Sequence, residues 1–224
     1  MTTATSSEDW RTVYVVGRYP EYEEMFTNNG WLVVDNIEDD ADLVQFCGGA
    51  DVSPHLYNEE RLETTYVDPE RDAYEIAMFK LAFESGCAIA GICRGAQFVH
   101  VMNGGRLWQD VNNHGVANGH MVQLVGNDFT SVTAPYGNFH VSSTHHQAMK
   151  EGKGELLLKA SQSTQRTGFS VRSNGLTAVD VEAVYHFETN SLCYQPHPEY
   201  FGKTHPCQKV YFAMIDKLLF GLEV

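Results

Sequence analysis

Ala88-Ile89-Ala90-Gly91-Ile92-Cys93-Arg94-Gly95-Ala96-Gln97 is the stretch on which the reading of this chain turns. A short apolar strand runs into Gly-x-Cys-x-Gly. A helical pattern over 96–102 follows at once and is closed by Asn103-Gly104-Gly105. A strand that becomes a helix at a single corner, with a nucleophilic side chain on that corner, is the nucleophile-elbow pattern, here with Cys in place of Ser. The glycines are a physical requirement, because the corner residue is strained and flanking side chains would clash. The thiol stands at a helix N-terminus, where the dipole and unpaired N–H groups favour thiolate. The Arg94 N–H can face a developing oxyanion. A buried structural cysteine beside two glycines would satisfy the same letters, so the reading needs a base.

Leu192-Cys193-Tyr194-Gln195-Pro196-His197-Pro198-Glu199 supplies one. A strand ends in a histidine bracketed by prolines, which fix φ on both sides. In a rigid extended turn, residues i and i+2 point the same way, so Glu199 is expected behind the His197 imidazole. A carboxylate there holds the tautomer and orientation of the ring, which is the Cys-His-acid form of the triad. An exposed histidine in a Pro-rich surface turn is the competing reading of these residues.

Working outward, short apolar runs at 12–16, 31–34 and 43–47 read as strands, the last stopped by Gly48-Gly49. Residues 50–70, with Pro54, Asn58 and Pro69, read as a loop. The pattern over 72–85 predicts a helix ended by Gly86. Strands then alternate with helices, which argues for a parallel sheet covered by helices. The second half is richer in strands, expected over 121–125, 139–142, 156–159, 178–187 and 192–195. An amphipathic helix is expected over 210–222. Residues 1–10 read as a flexible tail and 11–224 as a single domain, with no repeat and no linker.

The bulk numbers bound the function. With 224 residues, 43% hydrophobic and 20% charged, the chain has the composition of a soluble globular domain large enough for a sizeable core. A diffuse net charge of −14 argues against nonspecific nucleic acid binding and against an anionic membrane surface. It leaves open an acidic substrate held by local Arg or Lys. Cys47, Cys87, Cys93, Cys193 and Cys207 are odd in number and irregular in spacing, which suits free thiols in a reducing cytoplasm. Residues 1–9 lack the basic and apolar regions of a signal peptide, and no apolar run approaches a membrane span. A cytoplasmic location is therefore expected.

Together these segments resemble the class I glutamine amidotransferase superfamily, and within it the γ-glutamyl hydrolase branch, the peptidase C26 family, which includes γ-glutamyl-GABA hydrolases. The resemblance runs from about Val13 to Gly202. Gly48-Gly49-Ala50-Asp51-Val52-Ser53-Pro54 with Tyr57 is similar to the family's GG-x-D-V-x-P-x-x-Y loop. Asp68-Pro69-Glu70-Arg71-Asp72 with Glu75 is similar to its D-x-x-R-D-x-x-E helix start. Gly91 to Gln97, with Asn103-Gly104-Gly105 and Gln109-Asp110, Ser143 to Gln147, and Gln195 to Glu199 complete five motifs in the family's order. The chain departs in two places. Only about 14 residues separate Val16 from Trp31, so the N-terminal part looks trimmed, and Pro196 stands where the family often has Trp.

The resemblance implies an α/β fold with a three-layer, flavodoxin-like, mostly parallel sheet, flanking helices and extra antiparallel strands in the second half. It implies a catalytic set of Cys93, His197 and Glu199, and an oxyanion hole built from the backbone amides of Gly49 and Arg94. Gln97, with His145, His146 and Gln147, would line the substrate pocket. The implied reaction is cysteine-dependent hydrolysis of a γ-glutamyl amide, glutamine or a γ-glutamyl conjugate, through a γ-glutamyl thioester on Cys93. Two alternatives stay open: a glutaminase subunit passing ammonia to a separate synthase, and a catalytically silent binding protein on the same scaffold. The expected partner is a small γ-glutamyl substrate, with room for a homo-oligomer and no nucleic acid or membrane. No cofactor is expected. No metal is expected either, because no helical His pair has a nearby Glu and no Cys pair has zinc spacing. His100 is expected to be a packed helix residue, and Arg71 and Asp72 to cap and pair locally at a helix start.

Overall fold

The computed structural model describes residues 10–38, 40–111, 114–125, 137–161 and 179–223. Residues 1–9 of the expected tail, and Ala178 at the start of one expected strand, lie outside them.

Runs of β-branched and small apolar residues between turn signals form the strands, as their length and alternation require. The strands are β1 (Thr12–Val15), β2 (Leu32–Val33), β3 (Leu43–Phe46), β4 (Ala88–Ile92), β5 (Leu107–Trp108), β6 (Gly115–Leu124), β7 (Asn138–Thr144), β8 (Ala148–Met149), β9 (Glu155–Ala160), β10 (Val181–His186) and β11 (Ser191–Tyr194). Among the described residues, four α-helices pack around them: α1 (Pro20–Asn28), α2 (Pro69–Glu84), α3 (Arg94–Met102) and α4 (Pro206–Met214). Nine strands form one sheet in the order β2-β1-β3-β4-β11-β10-β9-β6-β7. Strands β2, β1, β3, β4 and β11 pair in parallel, in the order of a flavodoxin-like sheet. From β11 onward the pairings are antiparallel. The fold is the expected α/β architecture with antiparallel strands added by the second half of the chain.

Period-two alternation splits the core between the two faces of the sheet. Leu43, Ala88 and Ala90 look toward Phe26 of α1 and Tyr211 of α4. Val44, Phe46 and Ile89 look toward Phe79 of α2 and Phe98 of α3. Helices therefore cover both faces, as a parallel sheet buried on each side needs.

Several boundaries differ from the sequence reading, each for a local reason. Helix α1 falls in the segment that reads as trimmed. Pro20 occupies its first turn, and Tyr22, Met25 and Phe26 bury one face. Helix α2 starts at Pro69, one turn before Asp72. Pro is tolerated at the first helical position, and the Asp68 side chain caps the Arg71 N–H at 3.1 Å. Strand β6 begins at Gly115, well before Met121. Helix α4 begins at Pro206, with His205 as its cap, and ends in a π-turn over Ile215–Leu219.

Candidate active site

Three neighbouring parallel strands, β3, β4 and β11, end side by side, and each delivers a piece of one site at its C-terminal end. Open α/β sheets place ligands at this edge, near where strand order reverses. Strand β4 ends at Ile92, and Cys93 turns the chain into α3 with φ +52° and ψ −112°. That is a strained conformation for a residue with a Cβ. A Cβ on Gly91 would stand 2.4 Å from the Gly95 carbonyl, and one on Gly95 would stand 2.3 Å from the Phe46 carbonyl oxygen. The glycines on either side of Cys93 are therefore needed for the turn itself and for α3 to seat on β3.

All five cysteines are free thiols. Burial pushes the thiols of Cys47, Cys193 and Cys207 up, so they remain protonated. The Cys93 thiol has the His197 imidazole as its hydrogen-bond partner. Burial alone would lower the pKa of His197, but its hydrogen bonds and charge interactions with Cys93 and Glu199 outweigh this and hold it up at about 11.

His197 is fixed from several sides. Its Nδ1 donates to Glu199 Oε1 at 2.5 Å. Its backbone N–H donates to Ser142 Oγ at 2.8 Å, and the Tyr200 ring stacks on the imidazole at 4.5 Å with the planes 4° apart. The His197–Glu199 contact arises differently from the extended alternation expected. Pro198–Tyr200 form a 3₁₀ turn, which folds Glu199 back under the ring. Proline at the first position of that turn starts it without losing a hydrogen bond.

The third piece is the end of β3. A Cβ on Gly48 would stand 2.9 Å from His197 Cε1 and 3.0 Å from the Tyr22 hydroxyl, so only glycine fits between the imidazole and α1. The Gly48 N–H donates to the Tyr22 hydroxyl at 2.9 Å. Burial and the Glu199 charge push the Tyr22 phenol up, so it stays neutral beside the carboxylate. The Arg71 guanidinium donates to the Cys47 and Gly48 carbonyls, each at 2.9 Å. In a trans peptide the C=O and N–H point opposite ways, so holding the Gly48 carbonyl turns the Gly49 N–H away from Arg71. The Arg94 N–H opens α3 and, as a first-turn donor, has no intrahelical acceptor.

Beneath this backbone lies a buried ionic network. Arg94 pairs with Asp72 Oδ1 at 2.5 Å and with Glu75 Oε2, and Glu75 Oε1 accepts from Arg71 at 2.7 Å. The local Arg71–Glu75 pair agrees with the expected helix-start pairing. Asp72 departs from it, because its partner is the residue after Cys93 on another helix.

Gln97 sits one turn beyond Cys93 and donates to the Gln147 carbonyl at 2.9 Å and to Gln195 Oε1 at 3.1 Å. His145 Nδ1 donates to the same Gln147 carbonyl at 2.7 Å. Burial and the neighbouring His114 hold the His145 pKa well below the ordinary range, so the ring is neutral. The side chain of Gln147, His145 Nε2 and Gln195 Nε2 are buried polar groups with unused hydrogen-bonding capacity. His146 does not join them. It turns to Asp51, 3.1 Å from both carboxylate oxygens, with Asp110 at 3.6 Å.

Sequence reasoning missed Tyr22, Ser142 and Tyr200. Tyr22 was findable, since Pro20 followed by apolar residues at 22, 25 and 26 is a helix signal. Ser142 and Tyr200 carry no local mark. Among the described residues, no helix is long and apolar enough to cross a membrane.

Comparison with known proteins gives a consistent picture. The peptidase C26 family profile matches residues 28–199. The glutamine amidotransferase-like protein YvdE of Lactococcus lactis is 35% identical over 77% of this chain and 72% of its own length. The γ-glutamyl-γ-aminobutyrate hydrolase of Escherichia coli is 32% identical over half of each chain. Among solved structures, a GMP synthase component of Thermoplasma acidophilum superposes with a TM-score of 0.61 over 94% of each chain at 17% identity, a likeness of fold.

Proposed function

This chain belongs to the peptidase C26 family, and on that premise we propose that it hydrolyses a γ-glutamyl amide through a thioester on Cys93. The observation that carries the proposal is the meeting of three strand ends: Cys93 on its elbow, His197 backed by Glu199, and Gly48-Gly49 held by Arg71.

The Cys93 thiolate attacks the δ-carbonyl carbon of the substrate, and the carbonyl π-electrons move onto oxygen. That oxyanion is received by the N–H groups of Gly49 and Arg94. As the intermediate collapses, the C–N bond breaks and the His197 imidazolium gives its proton to the departing amine. The product on the enzyme is a γ-glutamyl thioester. His197, now neutral and oriented by Glu199, takes a proton from water. The hydroxide oxygen adds to the thioester carbonyl, the C–S bond breaks, and glutamate leaves with the thiolate restored. The unused polar atoms of Gln147, His145 and Gln195 beside Gln97 suit the amino and carboxylate groups of the γ-glutamyl moiety.

A second reading is a glutaminase that hands ammonia to a separate synthase, favoured by the fold likeness to a GMP synthase component. Assays of the purified chain on glutamine and on γ-glutamyl amines, read as glutamate release, separate the two. Hydrolysis of conjugates by the chain alone supports the stand-alone hydrolase. Activity on glutamine that appears only with an added synthase supports the ammonia donor. Mass spectrometry of the quenched enzyme should find the γ-glutamyl adduct on Cys93, and Cys93→Ala should lower turnover by at least about 10³-fold with its circular dichroism unchanged. Full activity in that variant would overturn the assignment.

A further inference from the structure

Of three register breaks among the described antiparallel strands, two converge on one cluster of side chains. In β10, Val181 faces Lys159 and Ala183 faces Leu158, so Glu182 is an extra residue at a β-bulge. In β6, Val116 faces Ser143 and His120 faces Val141, so four steps on β6 span two on β7. Gly119 within that second bulge has φ +60°, and a Cβ there would stand 1.9 Å from the Val141 carbonyl oxygen. Bulges re-aim side chains, and they gather beside functional sites.

Here they aim His120 and Glu182 at each other across β9, with His114, the residue just before β6, as the third member. His120 Nε2 lies 2.8 Å from Glu182 Oε1, and His114 Nδ1 lies 3.8 Å from the same oxygen. All three donor atoms fall within 4.8 Å of one another. Four-coordinate zinc with bonds near 2.0–2.1 Å separates its ligand atoms by about 3.4 Å. The two observed spacings straddle that distance. Glu182 is fully buried and His114 is 1% exposed. Glu182 Oε2 has no partner, so the hydrogen bond to His120 leaves half of an interior carboxylate unsatisfied. A simple ion pair accounts for Oε1 alone. It explains neither Oε2 nor why a second imidazole is brought to the same carboxylate. The Ser143 hydroxyl donates to the His114 carbonyl and anchors that residue, while the His145 ring lies 4.7 Å from the His114 ring.

We propose that His114, His120 and Glu182 bind a divalent first-row transition metal, zinc by the imidazole and carboxylate character of the donors. The ion ties β6 to β10 across β9, behind the wall of the pocket that carries His145. It satisfies the free carboxylate oxygen and replaces the proton shared between His120 and Glu182, which passes to solvent. The site takes no part in the thioester chemistry, so its test stands apart from the proposed reaction.

The experiment uses the full chain, stripped with chelator and titrated with zinc chloride by calorimetry, with bound metal counted after gel filtration. One zinc per chain, micromolar affinity or tighter, and a raised Tm are expected. His120→Ala and Glu182→Gln should each weaken binding at least about 100-fold, whereas His55→Ala, an exposed histidine elsewhere, should leave it unchanged. Should Glu182→Gln fail to fold, cobalt(II) decides. The wild-type chain should give the intense visible absorption of four-coordinate cobalt, and His114→Ala should lose it. A pale six-coordinate spectrum, binding well below one ion per chain, or affinity untouched by the cluster variants would overturn the site.

Discussion

Arg71 does two things with one guanidinium, and the geometry of its fork explains why. One Nη donates to two successive carbonyls at the end of β3, while Nε pairs with Glu75. A lysine ammonium cannot hold both carbonyls and the carboxylate in that fixed arrangement. Loss of the fork frees the Gly48–Gly49 peptide to rotate and, in the proposed reaction, would withdraw the Gly49 N–H from the oxyanion. Arg71→Lys is therefore expected to lower kcat by about 10²-fold or more, the scale of losing one oxyanion donor, with KM little changed. Steady-state kinetics on a γ-glutamyl amide would check this, and a rise in KM at constant kcat would refute the positioning role. At this scale the letters are informative wherever chemistry and backbone geometry coincide. Gly91 and Gly95 announce a corner around Cys93, because a Cβ at either position would run into backbone. Arg71 announces a helix start and nothing more, because its carbonyl partners lie 23 and 24 positions away.

Helix α2 packs on α3 through Phe79 and Phe98, and reaches the residue after Cys93 through charges. Glu75 accepts from both Arg71 and Arg94, and its side chain is 1% exposed. Removing its charge leaves Arg94 buried with Asp72 alone, and breaking such a network is costly. Glu75→Gln should destabilise the fold by about 3–5 kcal/mol in urea unfolding. A loss well under that range, about 1 kcal/mol or less, would mean that water compensates the arginine. A second link joins α3 to β10, where His100 Nδ1 and His186 Nε2 meet at 3.2 Å. Burial depresses both pKa values to about 4, aided at His100 by the His186 ring and at His186 by the Lys153 charge. Since the unfolded value is about 6.5, the unfolded chain binds protons first as pH falls. The stability these neutral rings provide is present above about pH 6.5 and is lost as pH drops toward about 4. His186→Gln should flatten the fall of Tm over that window, and an unchanged slope would remove the pair from the account. His100 is legible as a packed helix residue. Its partner on β10 is not, since nothing local in either strand or helix marks the pairing.

At the scale of the whole molecule, one sheet serves both cores, so neither face can unfold without exposing the other. Calorimetry should show a single transition with equal calorimetric and van't Hoff enthalpies for residues 11–224, and two resolved transitions would divide the chain. Elements of strong periodicity, the β-then-α order and the five motifs are legible in the linear chain, because short-range sterics and hydrophobic spacing act between neighbours. Helix α1 has a readable start signal in Pro20, whereas the two β-bulges have none, since a bulge is defined by its partner strand. The local chemistry of Cys93 and of the His197–Glu199 turn is thus determined by the sequence itself: glycine and proline set the accessible φ wherever they stand. That these two segments meet, that Gln97 finds Gln195 at a separation of 98 residues, and that Tyr22 closes over Gly48 are decided only by the order in which strands β1, β3, β4 and β11 pair. Strand pairing is a choice made by the whole buried sheet, and no single segment carries it.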